Sequence, residues 1–130
     1  MNVLVGDVDG QGKLELAVAN SGTVRFAGTN PGSISVRLGN GDGTFKAAVN
    51  YSSHSLANYP VFVAAGDVND DKKLDLVVLL TTPGGIQLLT TLLGTGNGPF
   101  RPAVEAGFPF FGPLGIRLAG FNGAGGLDVV

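Results

Sequence analysis

An acidic, glycine-bearing segment returns in this chain at a long interval. GDVDGQGKLEL, residues 6–16, recurs as GDVNDDKKLDL, residues 66–76, at an offset of 60. A decayed copy, AGFNGAGGLDV, occupies residues 119–129, at an offset of 53. A second segment repeats independently: LGNGDGTF at residues 38–45 returns as LGTGNGPF at residues 93–100, at an offset of 55. Two different marks recurring in the same order define a structural unit of about 55 residues, a length typical of stacked repeats and propeller blades.

Between the marks the residues read as strands. Residues 61–65 and 74–80 are apolar and β-branched, which suits strands buried on both faces. Residues 34–38 and 86–90 alternate, which suits strands with one polar side. Residues 46–51 and 102–106 follow a glycine-rich turn and complete each set. Each unit therefore holds four short strands, A to D. With 22 glycines and 7 prolines, nearly every window long enough for a helix is interrupted. A parallel β-helix has shorter repeats, and a sandwich would not repeat its own turns so literally. The expected fold is all-β: a section of a β-propeller with two four-stranded blades and the first half of a third, at residues 1–60, 61–112 and 113–130. Two and a half blades do not close a ring. The sequence is therefore read as a fragment, with further blades in the same chain or in associated copies.

Composition removes several functional classes. The formal net charge is -2 and the cations are scattered, Lys72-Lys73 excepted, so nucleic acid is not an expected partner. The longest apolar runs fall far short of the roughly 18 residues needed to cross a bilayer, so no membrane insertion is expected. With no cysteine there are no disulfides, thiolate metal sites or cysteine nucleophile. Residues 1–6 lack a basic, cleavable leader pattern, and any export signal is expected outside this sequence.

The A–B loop carries the chemistry. Its first copy places side-chain oxygens at Asp7, Asp9, Gln11 and Glu15, and its second at Asp67, Asn69, Asp71 and Asp75. Alternate spacing in a tightly curled loop turns successive oxygens inward, as a calcium ion with 6–8 oxygen ligands requires. The seventh position, Lys13 or Lys73, would add a backbone carbonyl. Of the 10 acids, six stand at these positions, and only Asp42, Asp70 and Glu105 lie outside the three copies' ligand positions. Without a cation, three carboxylates in one short loop repel one another. A solvated turn also favours Asp, Asn and Gly, but two loops in one register between apolar strands weigh for a metal.

Gly66, Asp67, Val68 and Asn69 with Leu74, Asp75 and Leu76, followed by LGTGNGPF, resemble the FG-GAP/VCBS repeats found in integrin α-chain head domains. The resemblance covers nearly the whole chain. It implies a propeller with calcium in the A–B loops, so that the residues named above would be metal ligands at two Ca2+ sites. There are departures. Gln11 offers a neutral oxygen where the family has Asp. Lys72 stands where it has Gly, and would have to adopt a left-handed backbone. In the third copy Gly120 and Ala124 replace donors, leaving Asn122 and Asp128, so that loop is expected to be empty. Affinities of roughly 10⁻⁴–10⁻³ M are expected.

Other signals carry less. The LGNGDGTF segment lacks the Lys-Ser/Thr ending of a phosphate loop and reads as a tight C–D hairpin, with Asn and Gly at positive φ. The single histidine, His54, sits between Ser53 and Ser55 without forming a triad, and no nucleophile–base pair is recognisable, so no enzyme is expected. Residues 108–111, Phe-Pro-Phe-Phe, are read as a D–A connection sealing a blade seam. The resemblance implies that B–C and D–A connections lie on the face opposite the calcium loops; here the long B–C connection carries Arg25, Phe26 and Asn30, and the D–A connection at residues 52–60 carries His54 and Tyr59. These are candidate contacts for a protein or glycan ligand. The functional expectation is a calcium-stabilised binding or adhesion module that is secreted, periplasmic or at the cell surface. The alternative is a lectin-like propeller or an accessory domain of a polysaccharide-active enzyme.

Overall fold

The computed structural model describes residues 1–25, 28–30, 32–52, 59–82, 84–101, 104–110, 118–119 and 128–129, with side chains in 1–22, 32–52, 59–82 and 84–101. In chain order, the first sheet draws on β1 (Asn2–Gly6) and β2 (Glu15–Asn20). A small hairpin of β3 (Thr23–Arg25) and β4 (Gly28–Asn30) follows, then β5 (Ser33–Arg37) and β6 (Val49–Ser52). The second sheet consists of β7 (Tyr59–Gly66), β8 (Asp75–Thr81), β9 (Gln87–Leu92) and β10 (Val104–Phe110). A last pair, β11 (Leu118–Ala119) and β12 (Asp128–Val129), closes the order.

Each four-stranded sheet is an antiparallel meander, β1-β2-β5-β6 and β7-β8-β9-β10. No helix occurs among the described residues. The fold is all-β, a section of a propeller that is not closed: two blades and a two-stranded pair whose β11 lies against β7. The pair registers make the repeat literal. Gly6 stands opposite Glu15, Gly66 opposite Asp75 and Ala119 opposite Asp128. All three units thus place the last loop position at the same point of the ladder.

The core is the seam between the two sheets. Because paired residues share a face, Leu4, Ala17, Ala19, Ile34, Val36 and Tyr51 line one side of the first sheet. They pack on Val63, Ala65, Leu76, Val78, Leu80, Leu88 and Leu92 of the second. Small alanines on β2 let β7 approach closely. Each fully buried Leu or Ile contributes about 1.5–3 kcal/mol. Polar contacts pin the same seam: the Val63 N–H donates to Asn2 Oδ1 at 3.0 Å, and the Ser21 hydroxyl donates to the Pro60 carbonyl at 2.7 Å. The other face of β8 is also covered, and Val77 and Leu79 are buried.

Several element boundaries differ from the sequence reading. β7 begins at Tyr59, so Tyr59 is a buried strand residue and not part of a loop. Pro60, which has no N–H for the ladder, is followed by a register shift before Phe62 that lets the strand start early. β6 starts only at Val49, after the hairpin is closed by the Lys46 N–H donating to the Leu38 carbonyl at 2.8 Å. Phe108, Pro109 and Phe110 belong to β10 and not to a connection, while Phe111 lies outside the described residues. β10 is an edge strand with a register shift between Ala106 and Phe110, a setting that tolerates proline. The B–C connection of the first blade folds into the β3–β4 hairpin, with Thr23 opposite Asn30 and Arg25 opposite Gly28.

Candidate metal centre

The first acidic loop spans residues 7–15, between β1 and β2. Gly10 and Gly12 take positive φ of 73° and 78°, which curls the chain tightly enough to turn alternate side chains inward. Backbone N–H groups hold one oxygen of each acid. Gly12 donates to Asp7 Oδ2 at 2.8 Å, Gln11 to Asp9 Oδ1 at 3.1 Å and Val8 to Glu15 Oε2 at 2.8 Å. The three acids come together: Asp7, Asp9 and Glu15 each offer one carboxylate oxygen within 4.8 Å of the others. Asp7 Oδ1 and Glu15 Oε1 are buried and have no hydrogen-bond partner. Glu15 is only 1% exposed and Asp9 only 8%. At such separations each like-charge pair costs about 3 kcal/mol at an effective dielectric of about 20. A divalent cation with hard oxygen ligands removes that cost, and the donor set fits calcium. Gln11 and Lys13 lie on the exposed rim of the loop.

The second loop, residues 67–75, has the same path with different side-chain bonding. Asp70 and Lys72 occupy the places of Gly10 and Gly12 and take φ of 61° and 63°. The strain anticipated at Lys72 is present, and Asp70 shares it. Asp67 accepts from the Asp71 N–H at 3.1 Å and the Lys72 N–H at 2.7 Å. Asn69 Oδ1 accepts from the Asp71 N–H at 3.1 Å. Asp71 accepts from the Lys73 N–H at 3.0 Å and lies 3.7 Å from the Lys73 ammonium. Asp75, fully buried, accepts from Val68 N–H at 3.1 Å and from Gly94 N–H at 2.8 Å. Among the described residues, only Asp7, Asp9 and Glu15 form a convergent acidic group.

The LGxGxG hairpins are built to fit these loops. A Cβ on Gly39 would collide with the Leu14 carbonyl, and one on Gly94 with the Leu74 carbonyl, so the first glycine of each hairpin is required by close approach. Gly41 and Gly96 face the aliphatic stems of Lys13 and Lys73. The turns are made by glycines alone. Gly41, Gly43, Gly96 and Gly98 have positive φ, whereas Asn40 and Asn97 do not. Asp42 closes the first turn by accepting from the Thr44 hydroxyl at 2.6 Å, a bond that holds its carboxyl below the ordinary range. Between loop and hairpin lies an open cleft of about 270 Å³, lined in part by Leu14 and Phe45.

The first loop also borders the seam, which sequence reasoning missed. A Cβ on Gly98, in the second blade's hairpin, would meet Leu38 at 2.5 Å and lie 3.6 Å from Asp9 Oδ2. Beside it the Phe100 N–H donates to the Tyr51 hydroxyl at 3.0 Å, and the two rings meet edge to face with centroids 6.0 Å apart. No spacing rule marks Tyr51; only the packing reveals it.

The remaining sequence candidates are distributed elsewhere. Arg25 ends β3 and Asn30 ends β4, in the connection from β2 to β5, whose Asn20–Ser33 pair is the end of the ladder away from Glu15. Phe26 and His54 lie outside the described residues. Tyr59 is 8% exposed within β7. Of the third loop, Asp128 lies in β12 opposite Ala119, while Gly120, Asn122 and Ala124 are outside the described residues.

Repeated four-stranded antiparallel sheets stacked face to face, each with an acidic loop between its first two strands, define a propeller-type repeat protein. The profile of the FG-GAP-like repeat matches residues 7–78, and the chain belongs to that family. No curated protein matches the chain, and no solved structure does.

Proposed function

We propose that this chain is a calcium-braced, non-catalytic repeat scaffold. The observation that carries the reading is the pair of buried, unpartnered oxygens, Asp7 Oδ1 and Glu15 Oε1, on acids of a three-carboxylate group whose members approach within 4.8 Å. Such a group is costly alone and favourable around a divalent ion. The ion would be held by Asp7, Asp9 and Glu15, would neutralise their charge, and would fix the loop that packs on the first hairpin and borders the seam.

In this reading the braced sheets form a rigid platform. The β3–β4 hairpin in the β2–β5 connection, with Arg25 and Asn30, is the element that meets a protein or glycan ligand. The setting is secreted, periplasmic or at the cell surface, where calcium is abundant enough for sites of roughly 10⁻⁴–10⁻³ M.

Thermal unfolding tests the brace. With 10 mM calcium against chelator, the midpoint should rise by roughly 5–10 °C, from ligand linkage at about 10–100 times Kd. Magnesium, which keeps its waters more firmly, should raise it far less. Superimposable melts with and without calcium would end this reading.

A further inference from the structure

We infer that the first acidic loop and the seam between the two sheets are one coupled unit: an ion in the loop tightens the seam, and a closed seam tightens the hold on the ion. The inference rests on the calcium reading above and adds to it a regulation by residues that supply no ligand. Residues 7–15 are built into the seam. Val8 is 4% exposed and belongs to the same core cluster as Val63 of β7 and Phe100 of the second blade's hairpin. The Val8 N–H donates to Glu15 Oε2 at 2.8 Å, while Glu15 Oε1 is buried without a partner. One member of the acidic group is thereby tied to a residue of the seam core.

The cover over the loop is the hairpin between β9 and β10. The chain at Gly98 comes so near the first blade that a Cβ there would stand 2.5 Å from Leu38 Cδ1 and 3.6 Å from Asp9 Oδ2. Gly43, the equivalent residue of the first hairpin, faces open space. Asp9, 8% exposed, is thus flanked by a hairpin of the other blade. That hairpin is fastened to the first blade by the Phe100 N–H, which donates to the Tyr51 hydroxyl at 3.0 Å, and by the edge-to-face contact of the two rings. Opening the seam admits water to Val8 and Asp9, raises the local dielectric and weakens the attraction between carboxylates and ion. Two events that bias the same equilibrium affect each other by the same factor.

The experiment is an isothermal titration of calcium into the metal-free chain and into two glycine variants. Gly98→Val forces the second hairpin away from Leu38 and Asp9 without altering a carboxylate, and should weaken calcium binding by at least about fivefold. Gly43→Val is the control. It places the same side chain at the same hairpin position, also at positive φ but in open space, and should leave the affinity within about twofold of wild type. Equal affinities in all three chains, or equal losses in the two variants, would overturn the coupling while leaving the calcium reading intact. No binding to the wild type would overturn both. If Gly98→Val does not fold, amide exchange of the wild type decides: at a calcium concentration of about ten times Kd, exchange of the Phe100 N–H should slow about tenfold. An unchanged rate would overturn the coupling.

Discussion

The two sheets present homologous faces in different surroundings. On the second sheet, Val63, Leu76, Val78, Leu80, Leu88, Thr90 and Leu92 share the face that packs against the first sheet. The register places Val3, Leu16, Val18, Asn20, Ser33, Ser35 and Arg37 at the corresponding points of the first sheet's outer face. Val63 is 6% exposed and its counterpart Val3 is 49% exposed. Near β1 the outer face has kept its apolar residues. Toward β6 it has become polar: the Asn20 amide donates to Ser33 at 3.2 Å and Ser35 at 2.7 Å, and the Ser35 hydroxyl donates to Asn50 at 2.5 Å. The alternation that marks a strand is therefore common to both sheets. What stands on the alternating positions is set by whether another sheet lies over them.

Substitutions at paired positions measure that difference. The largest contrast is Leu80→Ala against Asn20→Ala. Emptying the fully buried Leu80 site should cost about 2–5 kcal/mol, whereas losing the half-buried Asn20 amide network should cost no more than about 1 kcal/mol. Urea unfolding of the two variants checks it, and equal losses would break the comparison. Next comes Val63→Ala against Val3→Ala. The first removes two buried methyl groups, worth about 1.5–2 kcal/mol, and the second should stay within about 0.5 kcal/mol by the same assay. The smallest effect concerns the loops. Lys72→Gly relieves the left-handed backbone that Gly12 accommodates freely in the first loop, and should stabilise the chain by about 0.5–1 kcal/mol. A loss of stability there would mean that the Lys72 side chain makes a contribution larger than its strain.

The repeat, the four-strand period and the face-to-face sheets were legible because turns need particular residues. Gly41 and Gly43 recur as Gly96 and Gly98 at positive φ, and Gly39 and Gly94 are required by the Leu14 and Leu74 carbonyls, so the hairpin mark survives in both copies, whereas Gly10 and Gly12 give way to Asp70 and Lys72 at a strained backbone. Strand ends were less legible, since the run of apolar residues at β7 does not say that Pro60 will shift the register and let Tyr59 pair with Thr81. The loop positions were legible as oxygen donors in a row, but their bonding was not. Whether a carboxylate waits for a cation or takes a backbone N–H depends on its length and on a hairpin about twenty residues away, as Glu15 and Asp75 illustrate. The seam contacts of Tyr51 and Gly98 arise from residues far apart in the chain and leave no local pattern.

In the proposed reading, a divalent ion balances the buried carboxylates of the first loop. A crystal structure of the chain grown in millimolar calcium, with anomalous scattering recorded to identify the ion, tests it directly. The expected result is a calcium peak bonded to oxygens of Asp7, Asp9 and Glu15 at about 2.3–2.6 Å. A loop with no anomalous peak, in which Asp7 Oδ1 and Glu15 Oε1 are instead satisfied by water or by protein donors, would contradict it.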